Sequence, residues 1–447
     1  MLRRRFGTFT GGIDIPDDKE ATLDAPIAPV GRLERLRVPL AVVPAEPARP
    51  VVQPGYRVSA GQKLAQADTP EQVGVFAPLS GRVARFTEAL VPAHPSGWRV
   101  SPAIELTDLD RPEGIRALPT TYEWQAADDR SLRLRLAEGG LVTFGSPPAA
   151  LAGWVEAARR AKVHTLIANV MENTPFVTAD HRLLAEHGGE VMRGLVILAR
   201  AIGVTEAMLA VDRRRTGAYR AAVGPAHLHG VDAIALAHKY PVGAEAILIK
   251  VLTRREIPLG RQAFSIGAAT TDAATCWATY QWVACGVRPT ARVVTVAGPR
   301  VGAPGNLLVP FGADAGEVLA MAEVRGDEPA IHGPAMTGRM LPPGAVVTGH
   351  TNALLALEPP QPGVPTPCIR CGWCTDNCPA RLNVAALNDD FELGRAERAR
   401  RRGALACVGC GICSYVCPAR LPLARRVGLL MQAIREEQTA APARAKE

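Results

Sequence analysis

Hydrophobic and polar positions divide the chain into stretches of different period. Residues 1–35 read as an extended arm broken up by glycine and proline. Residues 36–108 alternate over short runs between turn signals and predict a small β module. Residues 109–290 predict a doubly wound, Rossmann-like α/β domain. Within it, Val163–Asn169 is a short apolar run that predicts a buried parallel strand. Residues 179–203 follow as a long amphipathic helix and 206–212 as another strand. Ligands of such sheets bind at strand C-termini, which puts 169–178 at the mouth. Residues 291–360 return to strands: 291–297, a Gly/Pro turn at 302–305, then 307–311 and a helical piece at 315–322. That order suggests a β-grasp unit. Residues 361–436 open on a proline-rich linker and carry helical periodicity around Val384, Leu387, Phe391 and Leu393. Residues 437–447 are expected to be a disordered tail.

Within the β module, residues 54–64 and 75–83 resemble the barrel-sandwich half of lipoyl- and biotinyl-type domains. A carrier domain needs a modifiable lysine at a hairpin tip. No lysine lies between Leu64 and Val83, so the module is expected to be structural or to serve docking.

Eight of the ten cysteines change the picture most. Cys368, Cys371, Cys374 and Cys378 precede Pro379; Cys407, Cys410, Cys413 and Cys417 precede Pro418. Each run is C-x2-C-x2-C-x3-C-P, the ferredoxin spacing for a cubane 4Fe–4S cluster. Three close thiolates wrap one corner of a cube, and the fourth reaches the other cluster. The expected ligand sets are Cys368, Cys371, Cys374 and Cys417 for the first cluster, and Cys407, Cys410, Cys413 and Cys378 for the second. Zinc ribbons use two CxxC pairs and stop at four ligands. Disulfides do not suit a chain whose clusters need reduced thiols. Cys276 and Cys285 read as plain buried residues.

The formal charge of +8 overstates a cluster-loaded protein, because each cubane with four thiolates adds negative charge. Arginines crowd at Arg395, Arg398, Arg400, Arg401 and Arg402. A solvated helix face is the plainest reading, ahead of docking to an acidic partner or anionic lipid. Nucleic acid is not expected, since no stacking aromatics interleave with the basic residues. No stretch approaches ~20 apolar residues, and no signal peptide is expected after the basic N-terminus. His164, His181, His227, His229 and His238 lack metal-ligand spacing. Asp17, Asp18 and Glu20 suit a helix cap or a neighbouring subunit.

A family resemblance emerges from several segments in order. They are Gly11–Lys19, the barrel-sandwich segment, 178–184, 240–245, 305–307, 332–338 and both cysteine motifs. Together they resemble the RnfC family of the Rnf electron-transport complex. That family is similar to the NADH-binding flavoprotein of complex I. The resemblance implies a barrel-sandwich module, an FMN-type α/β domain, an SLBB-type β-grasp domain and a helical two-cluster ferredoxin domain. It also implies an electron-transfer subunit of an ion-translocating NADH/ferredoxin oxidoreductase. Such a subunit is peripheral on the cytoplasmic face of the inner membrane and held there by membrane-embedded and flavin-carrying partners. Ferredoxin or NADH would be its redox partner.

The chain departs from the family where flavin chemistry should lie. Of the GxGGAGFPT-type loop only Gly145 remains, followed by Pro147 and Pro148, which lack amides for a phosphate. The NGAECEP-type loop keeps Asn169, Glu172 and Pro175, with Thr174 at its second glutamate. Gly267 is the match in the loop that usually reads Asn-Val-Gly-Thr. Gly145, Asn169, Glu172, Pro175 and Gly267 are thus the residues through which the resemblance implies FMN or NADH binding. The altered loops leave a second reading: a flavin-less iron–sulfur relay fed by a separate ferredoxin or flavoprotein. A cobalamin-reductase-like relative of bacterial microcompartments shares the layout.

Overall fold

The computed structural model describes residues 6–93, 97–116, 118–145, 148–358 and 364–444, with side chains through 438. In chain order the first elements are β1 (Ile27–Pro29), β2 (Leu36–Pro39), β3 (Arg49–Pro50), β4 (Arg57–Val58), β5 (Lys63–Gln66), β6 (Val75–Phe76), β7 (Gly81–Pro92) and β8 (Trp98–Thr107). Next come α1 (Asp129–Glu138), α2 (Leu151–Arg160), β9 (Thr165–Val170), α3 (Ala179–Ile202), β10 (Glu206–Asp212), α4 (Thr216–Leu228), β11 (Asp232–Leu236), α5 (Glu245–Thr253), β12 (Ala268–Thr271) and α6 (Ala273–Cys285). The rest are β13 (Ala291–Ala297), β14 (Gly305–Pro310), α7 (Ala315–Met321), β15 (Ile331–His332), β16 (Arg339–Met340), β17 (Ala353–Leu355), α8 (Trp373–Asp376), α9 (Val384–Glu392), α10 (Ala396–Arg401), α11 (Ile412–Tyr415) and α12 (Leu423–Arg444). Two compact units form: Asp17–Ala237 with Gly267–Glu358, and the chain up to Pro16 with His238–Ile266 and the segment from Pro359.

In the first unit, β2-β8-β7-β4 and β3-β5-β6 form two small antiparallel sheets. The β7–β8 ribbon breaks register between Val83 and Arg85, a bulge that bends it. Leu36, Leu64, Val83, Ile104 and Leu106 are fully buried in a core shared with Val294, Val309 and Leu354. A third sheet, β1-β14-β13-β17-β15-β16, explains that continuity. Its β1 comes from the N-terminal arm and pairs in parallel with β14, so the expected arm is built into the sheet.

The fourth sheet has the order β11-β10-β9-β12, all parallel. Five of the six residues of β9 are buried, as both-sided cover by helices demands. Gly203, left-handed at φ 88°, ends α3, which kinks at His187 beside Gly188 and Gly189. Helix α6 is buried along its whole length and starts on an Asp272 cap whose carboxylate accepts from the Thr275 amide at 2.7 Å. Cys276 and Cys285 are buried free thiols, as expected.

The second unit gathers α5 with α8–α12. Val384 and Leu387 of α9, Leu423, Leu430 and Ile434 make its core. Leu393 ends α9 in an exposed position, off the expected apolar stripe. Helix α12 continues to Arg444, so the expected tail from 437 is helical as far as it is described. Among the described residues no helix is long and apolar enough to cross a membrane.

Candidate functional site

The two cysteine motifs fold alike. Cys368 and Cys407 stand 39 positions apart, and the same offset relates four backbone features. Arg370 and Gly409 have positive φ, as do Gly372 and Gly411, and Arg381 and Arg420. The one-turn helices α8 and α11 follow each glycine at that spacing. Left-handed turns before a short helix draw three thiols toward one point.

The fourth thiol comes from the other motif. Cys368, Cys371, Cys374 and Cys417 line one pocket, closed by Ala385, Leu421 and Leu423. Burial raises the pKa of the Cys374 thiol, and charge on Cys368, Cys371 and Cys417 raises it further. The other four lie close enough for the charge of Cys378 to reach Cys407, Cys410 and Cys413. Burial pushes Cys410 up to about 11 and Cys413 up to about 12, and both feel charge on Cys407 and Cys378. Amides of Leu382 and Gly409 donate to the sulfurs of Cys378 and Cys407, each at 3.4 Å. Crowded thiols that resist ionising alone, met by amide donors, fit an iron–sulfur core that supplies the missing positive charge. Among the described residues no three His, Cys, Asp or Glu side chains converge tightly enough for a single metal ion.

The residues expected at a flavin mouth are only partly brought together. Strand β9 neighbours both β10 and β12, so the order reverses between β9 and β12, the usual ligand crevice. Asn169 lies in the last residues of β9, and Glu172 and Pro175 follow its C-terminal end. Gly145 lies close by that end of β12, where a Cβ added to it would stand 3.2 Å from the Asp272 carboxylate. Gly267 is elsewhere. It precedes β12, and its carbonyl accepts from His164 and Thr165 at the start of β9. The four-residue step from Thr165 to Asn169 is about 13 Å at ~3.3 Å per residue, so Gly267 sits at the opposite edge. Its φ is +71°, and a Cβ there would strike the His164 ring at 2.5 Å. Gly267 thus serves packing at the sheet base.

Glu172 is committed to the fold. Its two carboxylate oxygens accept from the amides of Asp180 and His181 at 2.9 and 2.7 Å, capping α3 where Thr178 makes no side-chain cap. The Asn169 side chain turns back to accept from the Met171 amide at 3.3 Å. Asp180 as a residue is half-buried, but its carboxyl is enclosed. Burial, then Asp272 and Glu172, push its pKa well above the usual carboxylate range. Pro147 lies outside the described residues. The described part of the mouth shows no glycine cradle for a flavin phosphate: Glu172 and Asn169 spend their side-chain oxygens on backbone amides, beside the buried Lys19 ammonium.

Lys19, which the sequence marks only as the end of the Gly11–Lys19 segment and gives no role, is a buried cation at the mouth. It is 2% exposed, and its ammonium donates to the carbonyls of Glu172 and Val177. Burial lowers its pKa to about 8. Beside it Asp17 accepts from Arg215 and pairs with Arg214 at 3.3 Å. Burial raises the Asp17 pKa, but the Arg215 hydrogen bond and the two arginine charges outweigh it, and the net shift is downward. Asp17 is therefore paired within its own chain. Asp18 and Glu20 are exposed.

The basic run is less free than its sequence implies. Arg398 and Arg402 pair with the buried Asp390 at 3.4 and 3.3 Å, and Arg400 with Glu397 at 2.6 Å. The histidines stay apart from metal-holding groups among the described residues. His164 contacts Thr165, His238 faces Asp14, and burial drops His181 to about 4. His227 is exposed and His229 half-buried.

Three family models match this chain. Residues 7–106 match the RnfC barrel sandwich hybrid domain, 147–281 the Nuo51 FMN-binding domain and 367–421 the 4Fe-4S dicluster domain. A Clostridium ljungdahlii protein, named as the C component of a proton-translocating ferredoxin:NAD(+) oxidoreductase complex, is 28% identical over 85% of this chain and 84% of its own. The C component of the ion-translocating oxidoreductase complex of Pseudomonas aeruginosa is 31% identical over 86% of this chain and 51% of its own length. That of Rhodobacter capsulatus is 32% identical over 89% and 78%. The cysteine pockets, the barrel sandwich and these matches agree, and the chain belongs to the RnfC family of ion-translocating oxidoreductase complexes.

Proposed function

We propose that this protein is the electron-relaying RnfC component of an Rnf-type complex that couples NADH and ferredoxin to ion translocation. One pocket that draws Cys368, Cys371 and Cys374 from the first motif and Cys417 from the second carries the reading. When bound, each 4Fe–4S cluster takes up and releases one electron at a time. Cys368, Cys371, Cys374 and Cys417 hold the first, and Cys407, Cys410, Cys413 and Cys378 hold the second. Leu421 and Leu423 keep water from the first pocket, while the Leu382 and Gly409 amides stabilise thiolate charge at the second. The sheet of β13, β14 and β17 with α7 reads as an SLBB-type β-grasp domain. Its partners are the membrane-embedded and flavin-carrying subunits, which hold it at the cytoplasmic face.

Gly145, Asn169, Glu172, Pro175 and Gly267 do not assemble a phosphate cradle, and no step here is routed through FMN. Iron, sulfide and flavin analysis of anaerobically purified protein tests the proposal. The expected result is two cubane clusters, seen by paramagnetic resonance after reduction. Zinc in place of iron, or a protein without acid-labile sulfide, would sink it. Bound FMN with NADH–acceptor activity would instead place the flavin step in this chain.

A further inference from the structure

Cys378 and Cys410 come from different motifs, yet one small structure touches both. The N-terminal stretch around Gly11 and Gly12 lies on the first motif. The Gly12 amide donates to the Asn377 carbonyl at 2.9 Å, and Arg381 Nε donates to Thr10 Oγ1 at 2.8 Å. Gly11 has φ +67°, and a Cβ on it would stand 2.6 Å from the Cys378 carbonyl oxygen. Only glycine permits that approach. The same stretch is bonded to Tyr240. Ile13 and Tyr240 exchange both backbone hydrogen bonds, at 3.0 and 2.9 Å. Tyr240 is 3% exposed, and its hydroxyl donates to the Cys410 carbonyl at 2.5 Å. Lys239 fixes the junction by lying over the Phe9 ring, 4.7 Å from its centroid. The first motif's equivalent of Cys410 is Cys371, which is exposed.

We propose that Gly11, Gly12 and Tyr240 form a clamp that positions the two loops supplying the second cluster. The inference rests on the crossed ligand sets proposed above, which put Cys378 and Cys410 on one cluster. Tyr240 and Gly11 are positioning residues and touch the ligand backbone only. The phenol places the positive end of its O–H dipole toward the Cys410 loop, which favours the more negative, reduced cluster. Removing it weakens the loop and moves that cluster's potential in the negative direction.

The full-length, cluster-loaded protein tests this with Tyr240→Phe and Gly11→Ala. Iron release to a chelator and the resonance signal and midpoint potential of each cluster are measured. Cys413→Ser identifies the second cluster's signal. In Tyr240→Phe, the second cluster is expected to be lost several-fold faster and to shift negative, with the first cluster unchanged. Gly11→Ala should strike the same cluster. Should Gly11→Ala fail to fold, Tyr240→Phe, which removes one oxygen, still decides the matter. Unchanged release and potential in Tyr240→Phe would overturn the clamp while leaving crossed ligation standing. Variants that strike different clusters would overturn the crossed assignment and the clamp with it.

Discussion

Lys19 donates its buried ammonium to the backbone carbonyl of Glu172, joining the N-terminal segment to the C-terminal edge of a parallel sheet 153 residues away. The contact lies beside the C-terminal end of β9, where such sheets bind ligands. It also gives a pH signature. The Lys19 pKa falls from 10.5 to about 8 because burial disfavours its charge. Between those values the unfolded chain holds the extra proton and the folded chain does not. The contribution is fully present above pH 10.5 and is lost as pH falls through about 8. Relative to Lys19→Met, the protein should gain at most about 3 kcal/mol across that interval. Denaturant unfolding of both proteins over the same range measures the difference. A flat difference would show that the ammonium is not desolvated.

Glu172 should behave as a helix cap. Both of its oxygens meet α3 amides, and its charge complements the helix N-terminus. In Glu172→Gln the new amide group faces a backbone donor. The variant should lose about 1–2 kcal/mol of stability. Thermal unfolding checks this, and an unchanged midpoint would restore Glu172 to the candidate ligands.

A close helix crossing supplies a pair of opposite outcomes. A Cβ on Gly194 of α3 would stand 1.7 Å from the Cys276 carbonyl oxygen of α6. The obstacle is backbone, so the helices must separate. Gly194→Ala should cost roughly 3 kcal/mol or more. Gly189 lies in the same helix with nothing within 4 Å of an added Cβ. Gly189→Ala should be neutral or stabilise by up to about 1 kcal/mol. Equal effects in the two denaturation curves would contradict this packing.

What is legible in the sequence is local. The apolar run at β9 foretells a buried strand because its neighbours in sequence decide its burial pattern. The cysteine spacing points to thiols meeting in threes because chain reach limits where they can converge. Lys19 is illegible because a lysine ordinarily reads as surface, and its two acceptors lie more than 150 residues away. Asp17 misleads for the same reason, since Arg214 and Arg215 approach only through the sheet topology. Gly267 misleads differently. Its motif context is visible, but a sequence does not say which edge of a sheet a loop occupies. Residues 238–266 read in sequence as part of the α/β domain, yet they leave the sheet between β11 and β12 to pack with the cysteine unit.

Membrane attachment through partners predicts release without detergent. The described helices offer no spanning segment, and three of the clustered arginines are engaged in ion pairs within the chain. High salt, or deletion of the membrane subunits, should move the protein to the soluble fraction. Retention in membranes after carbonate extraction would exclude attachment by partners alone.

Crossed ligation makes the sharpest prediction. Cys417 closes the pocket of Cys368, Cys371 and Cys374, although it follows Cys407, Cys410 and Cys413 in the chain. The serine variant removes one soft thiolate from that first pocket and leaves all four donors of the second in place. About half of the iron should therefore be lost, and the surviving signal should be that of the cluster held with Cys378. Cys378→Ser should give the reciprocal pattern, losing the cluster of the later motif and sparing the earlier one. Iron counts with paramagnetic resonance on both variants settle the matter. If Cys417→Ser instead removed the cluster of Cys407, Cys410 and Cys413, each motif would hold its own cluster. The shared pocket of Cys417 with Cys368, Cys371 and Cys374 would then have no ligand role.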